Sequence, residues 1–125
     1  MFMRVISTGS MKGNCYALQS STGEIVLLDC GCDYKKILRG ICYQINNVSG
    51  VLLSHEHGDH AEAVHEIMNA GITVYTGQET IKNLGITDGT IKVVAEKKYF
   101  KIGSFSAVPF SLPHTSANKE PCPNF

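Results

Sequence analysis

Residues 48–71 carry the feature that most limits what this chain can become. Val48-Ser49-Gly50-Val51-Leu52-Leu53 is a short apolar run rich in β-branched and aliphatic side chains, and it reads as a buried strand. Val64, Ile67 and Met68 then fall at helical spacing, and Gly71 stands where a helix would end. Between the two lies His55-Glu56-His57-Gly58-Asp59-His60, so four metal-competent side chains crowd the six residues that leave a strand and enter a helix. His55 and His57 are two apart and, in extended backbone, project to one side, where they can chelate one ion. Gly58 lets the chain turn sharply and aim Asp59 and His60 at a neighbouring position. Asp59, with Glu62 three residues later, also suits the N-terminus of the helix; that capping role and a metal role are compatible.

At 125 residues the chain is one domain at most, and folding should bury about two-thirds of the surface of the unfolded chain. Eleven Lys and Arg balance eleven Asp and Glu, so no global field favours nucleic acid or a membrane. The short basic cluster Lys97-Lys98 with Lys101 reads as a solvated hairpin edge. No run reaches membrane-spanning length. Met1-Phe2-Met3-Arg4-Val5-Ile6 enters a strand without a basic region or cleavage site, so a cytoplasmic address is expected. The five cysteines, Cys15, Cys30, Cys32, Cys42 and Cys122, form no disulfide-like framework. Cys30-Gly31-Cys32 lacks a second pair spaced to complete a thiolate zinc site, and these thiols read as small buried or half-buried side chains.

Along the chain, residues 4–7, 15–18 and 25–28 read as strands, the last two joined through the turn Ser20-Ser21-Thr22-Gly23. The glycine-rich turn over residues 8–14 matches no phosphate-binding fingerprint. Asp29 leaves its strand beside Cys30-Gly31, either as a turn former or as a group that orients a metal-bound histidine. A short helix over 33–40 follows, capped by Asp33 and ended by Gly40, then a loop into the motif strand. The next helix is expected over 59–70, with His65 turned about 140° from His60 and so on the surface. Strand 72–75 and helix 78–84, stopped by Gly85, complete a βαβ-like unit. From Thr90 the period tends to two, giving strands over 91–94, 98–102 and 105–110 with Gly103-Ser104 as a tight turn. His114 follows Pro113 at the end of the last of these.

The pattern His55-x-His57-x-Asp59-His60 resembles the signature of the metallo-β-lactamase superfamily. Ser7-Thr8-Gly9-Ser10 and Gly13-Asn14-Cys15-Tyr16 resemble its opening strand, glycine turn and second strand. Leu27-Leu28-Asp29-Cys30-Gly31 resembles its third strand with the structural aspartate, and Pro113-His114 its next histidine motif. The wording is closest to the phosphodiesterase and exonuclease-like branch. The resemblance implies an α/β (α+β) fold that is the first half of an αββα sandwich, a mixed sheet with helices on one face. Residues 1–125 would be the N-terminal part of such a domain, with the second half missing.

It further implies one metal held by His55, His57 and His114, and a second held partly by Asp59 and His60. Asp59 would also be the catalytic residue that steers an attacking hydroxide, and Asp29 would support the site without ligating. Zinc, as one or two ions, suits this donor mixture, with manganese or iron as substitutes. The family pattern needs a bridging aspartate and a final histidine after the His114 motif, and neither is present. Two function classes follow. One is a metal-dependent hydrolase, a phosphodiesterase acting through a metal-bound hydroxide on a phosphodiester or nucleotide-like substrate, with this chain alone weak or inactive. The other is a truncated metal-binding or partner-binding half-domain without turnover. Nucleic acid remains open as a partner, though without a basic signature, and no membrane contact is expected. A lone half would leave one sheet face bare, so a homodimer or association with the missing half is expected.

Overall fold

The computed structural model describes residues 1–9, 13–54, 61–85, 90–112 and 122–124. Six strands form one mixed sheet in the order β1-β2-β3-β4-β5-β6. They are β1 Phe2–Ser7, β2 Cys15–Gln19, β3 Ile25–Leu28, β4 Val48–Leu52, β5 Val74–Thr76 and β6 Ile91–Val93. The first three are antiparallel neighbours, and β3 to β6 run parallel. Tight hairpin chemistry explains the first part: Gly23, with φ of 93°, closes the β2–β3 turn, and its N–H donates to the Ser20 carbonyl at 3.0 Å. Helical crossovers explain the second: α1 Tyr34–Gly40 precedes β4, α2 Val64–Asn69 links β4 to β5, and α3 Gln78–Leu84 links β5 to β6.

Alternation along the strands sends two sets of apolar side chains to opposite faces. Ile25, Leu27, Val51 and Val74 form one set, buried against Ile37 of α1 and Val64 and Ile67 of α2, with Leu84 of α3 at its margin. Among the described residues the helices α1, α2 and α3 therefore cover one face, as the resemblance implied. Removing a side chain such as Ile37 or Ile67, each fully buried, should cost about 2–5 kcal/mol. Val26 and Leu52 form the other set and pack on Ile102 and Phe105 of a hairpin, β7 Phe100–Ile102 with β8 Phe105–Ala107. The expectation of a bare second face is corrected in part, because this hairpin covers its centre. Met3 and Val5 on the same face stay 55% and 60% exposed.

Several boundaries depart from the sequence reading. Of the helix expected over 59–70, Asp59 and His60 lie outside the described residues, Ala61 is helical, residues 62–63 form a turn, and α2 follows from Val64. Ala63 gives its N–H to the Cys30 carbonyl at 2.9 Å, so that amide serves a tertiary contact. Asp33 does occupy the N-cap of α1 but makes no side-chain capping bond; its carbonyl accepts from Lys36 and Ile37. Strand β6 joins the parallel sheet and does not belong to the hairpin set that follows it. The run over 105–110 breaks at Val108-Pro109 into β8 and β9 Phe110–Leu112, and β9 pairs antiparallel with β10 Cys122–Asn124. A proline, lacking an N–H, marks the break. No helix among the described residues is long and apolar enough to cross a membrane.

Candidate metal centre

The parallel strands β3, β4 and β5 end along one edge of the sheet, where open α/β sheets carry their sites. Leu28 pairs with Leu52 and Leu52 with Tyr75, so Asp29, Ser54 and Thr76 emerge together there. Asp29 is buried, and its backbone takes a left-handed conformation with φ of 61°, which aspartate tolerates better than most residues. Its carboxylate accepts the Ser54 N–H at 2.8 Å and lies 3.0 Å, through each oxygen, from the Ser54 hydroxyl. Its own N–H donates to the Leu52 carbonyl at 2.8 Å. On the other side, the Thr76 hydroxyl, fully buried, donates to the Leu53 carbonyl at 2.8 Å. The Leu53 N–H donates to Tyr75 at 2.9 Å.

The clamp holds Ser54, the residue before the His-rich motif in sequence, and the described chain resumes at Ala61, two residues before the Ala63–Cys30 bond. Two consecutive residues after β3, Asp29 and Cys30, thus hold both ends of the segment that carries the candidate ligands. A second layer supports them. The Gly31 N–H donates to the Asn14 carbonyl at 2.9 Å. Gly13, at φ of 84°, approaches the Gly31 backbone so closely that a Cβ would collide with its carbonyl and come within 2.9 Å of the Cys32 nitrogen. Here glycine is required both by conformation and by space.

Asp29 is the one sequence-expected site residue that the structure describes, and it faces the residue before His55. His55, His57, Asp59, His60 and His114 lie outside the described residues. His65, expected on the surface, is exposed. Among the described residues no group of three or more His, Cys, Asp or Glu side chains could hold a metal. Cys15, Cys30 and Cys32 are buried free thiols. The Cys15–Cys32 hydrogen bond raises the Cys15 pKa and lowers that of Cys32, whose thiolate Lys36 also favours. Burial, then the Asp29 charge, pushes the Cys30 thiol up. Sequence reasoning missed Ser54 and Thr76. Both are hydroxyl residues at the end of an apolar strand on the motif edge, and that position is the signal that could have found them.

The donor set suits a divalent ion: imidazoles and a carboxylate are the ligands zinc takes, and Ser54 and Ala63, which flank most of them in sequence, are each held by a hydrogen bond. Comparisons agree. The chain is similar to the metallo-β-lactamase fold protein YhfI from Bacillus subtilis, with a TM-score of 0.73 and 19% identity, covering 97% of this chain and 54% of that one. It is similar to MEM-A1, a subclass B3 metallo-β-lactamase from a soil metagenome library, with a TM-score of 0.71 and 19% identity, covering 89% of this chain and 50% of the other. A stretch of 72 residues, 54% of the chain, is 28% identical to the anti-Pycsar protein Apyc1 of Bacillus phage 010DV004, of which it spans 28%. The chain thus spans about half the length of these structures and less of the phage protein. The sequence profile of the metallo-β-lactamase superfamily matches residues 8–117, from the first glycine turn through His114, and to that superfamily this chain belongs.

Proposed function

We propose that the chain is the metal-holding N-terminal half of a metal-dependent phosphodiesterase. The observation that carries this reading is the clamp on the motif segment, Asp29 to Ser54 at one end and Cys30 to Ala63 at the other. Held so, His55 and His57, with His114, would bind one ion, while Asp59 and His60 would contribute to a second. Zinc suits these donors, and manganese or iron could replace it. A bound ion would lower the pKa of water to about 7 and polarise a phosphoryl oxygen. The chain's own residues do the rest. Asp59 orients the attacking water and takes part in its proton balance. Asp29 and Ser54 fix the strand end from which His55 departs. Phosphodiester chemistry is supported by the likeness of the Gly-Asn-Cys-Tyr and Leu-Leu-Asp-Cys-Gly segments to that branch.

The same reading makes residues 1–125 part of a larger two-sheet unit in a reducing cytoplasm, where the free thiols Cys15, Cys30, Cys32 and Cys42 would persist. The exposed Met3 and Val5 extend the face that carries Val26 and Leu52, and for the chain alone the occupant of that face would be a second copy. Hydrolysis of bis(p-nitrophenyl) phosphate, with zinc or manganese supplied, tests the function. A chain extended through the second half should turn over and lose activity on Asp59→Ala, and the 125-residue chain should be weak or inactive. Strong metal-dependent turnover by the short chain as a monomer would contradict the half-site reading. An inactive extended chain would favour the second class, a metal- or partner-binding module.

A further inference from the structure

Strand β6 ends on the same edge as the candidate metal centre, and the segment leaving it is basic and aromatic. Val94 follows β6, and its N–H donates to the Thr76 carbonyl at 2.9 Å, next to the Thr76 hydroxyl that holds Leu53. Glu96-Lys97-Lys98-Tyr99 comes next, all exposed, with Tyr99 at 80%. Between residues 90 and 112 the chain carries Lys92, Lys97, Lys98 and Lys101 against the lone acid Glu96, in a protein whose eleven Lys and Arg balance eleven Asp and Glu overall. The segment is anchored on both sides. The Lys97 N–H donates to the Pro109 carbonyl at 2.7 Å, immediately before β9, the strand that leads towards His114. Phe100, next to Tyr99, stacks on Tyr75 with ring centroids 5.3 Å apart and planes 23° from parallel. The Lys92 ammonium lies 6.0 Å from the centre of the same Tyr75 ring.

The connections run from Tyr99 through Phe100 and Tyr75 to Thr76, Leu53 and Ser54. Two strand spacings, about 10 Å, separate β6 from the motif strand. An exposed tyrosine costs apolar surface in water, and three exposed lysines beside it repel one another at neutral pH. A ligand that brings both a flat π-face and negative charge relieves both costs. Bases stack on aromatic rings irrespective of sequence, and phosphodiesters neutralise lysines with release of counterions.

We infer that Lys97, Lys98, Tyr99 and Lys101 form a binding surface for a nucleotide phosphodiester, with Tyr99 stacking on a base and the lysines contacting phosphate beside the metal centre. The inference rests on the phosphodiesterase reading only for the claim that this ligand is also substrate. Binding is therefore measured without turnover, in EDTA, by the fluorescence anisotropy of a labelled oligothymidylate and by calorimetry with the dinucleotide dTpdT. Tyr99→Ala should weaken binding about ten-fold. Lys97→Ala with Lys98→Ala should flatten the slope of log K against log salt by about 1.4 for the oligonucleotide. Loss confined to the oligonucleotide identifies a strand as the source of the phosphodiester, and equal loss with dTpdT identifies a short nucleotide. All three side chains are exposed, so circular dichroism should show each variant folded. No binding of either probe, or variants that bind like the wild type with the same salt slope, would overturn the inference. If this binding holds while the extended chain fails to hydrolyse, the surface stands and the phosphodiesterase reading falls.

Discussion

Asp29 and Ser54, 25 positions apart in sequence, meet through one backbone and one side-chain hydrogen bond, and the next residue in the chain is His55. The contact makes the end of β3 responsible for where the His-rich segment begins. Asp29→Ala should leave the Ser54 N–H without its carboxylate and place alanine at a left-handed φ, costing about 2–3 kcal/mol in urea denaturation. Ser54→Ala, which keeps the backbone bond, should cost only about 1 kcal/mol. If Asp29 orients the metal segment, Asp29→Ala should also weaken zinc binding about 10- to 100-fold.

Thr76 holds the opposite flank of the motif strand. Thr76→Val is close in shape and removes only the hydroxyl, leaving the Leu53 carbonyl short of its buried donor. A loss of about 1–3 kcal/mol is expected, and Thr76→Ser should recover most of it. Equal stability of the valine and wild-type proteins by denaturant titration would show that another donor replaces the hydroxyl.

Two glycines with positive φ give opposite forecasts. At Gly13 a Cβ would collide with the Gly31 backbone, whereas at Gly23 it would meet nothing within 4 Å. Gly23→Ala should therefore cost about 1–2 kcal/mol, the left-handed backbone alone. Gly13→Ala should cost several-fold more or prevent folding, as read from soluble yield and thermal melting. Similar melting temperatures for the two variants would contradict the close approach at Gly31.

The hairpin over the second face is latched by an exposed carboxylate. Glu24, at the β2–β3 turn, accepts from the Ser104 hydroxyl and from the Ser104 N–H at 2.8 Å, and these bonds lower its pKa, the hydroxyl first. Because the folded value is depressed, the contribution is fully present above the ordinary glutamate value of about 4.3 and fades as pH falls through the lower folded value. Melting temperatures of the wild type and Glu24→Gln should thus differ at neutral pH and converge in acid. A gap that persists unchanged into strong acid would mean that the charge on Glu24 contributes nothing.

Local chemistry made much of the fold legible. Strand Ile25–Leu28 and helix Gln78–Leu84 lie where the sequence places them, because Gly23 with Asp29 in one case and Gly77 with Gly85 in the other mark both ends. Gly71, at φ of 84°, follows α2 as expected. What local pattern could not supply was long-range partnership. Nothing near Ala63 in sequence indicates that its N–H serves Cys30, so the turn at 62–63 that interrupts the expected helix is not legible there. Nothing near Ser54 or Thr76 marks them as holders of the motif strand. The lysines at 97, 98 and 101 are exposed, as a solvated edge expects, but the Lys97–Pro109 and Tyr75–Phe100 contacts that seat this stretch join separate segments and are not legible in sequence.

Zinc content after exhaustive dialysis, measured by mass spectrometry on the purified chain and on His57→Ala, bears most directly on the proposal that the clamped segment and His114 form a metal centre. The wild-type chain should retain about one zinc, the complement of a three-nitrogen site with an open fourth position, and His57→Ala should lose it while keeping the wild-type fold by circular dichroism. A folded His57→Ala variant with the wild-type zinc content, or a folded wild-type chain that retains no metal, would contradict the account.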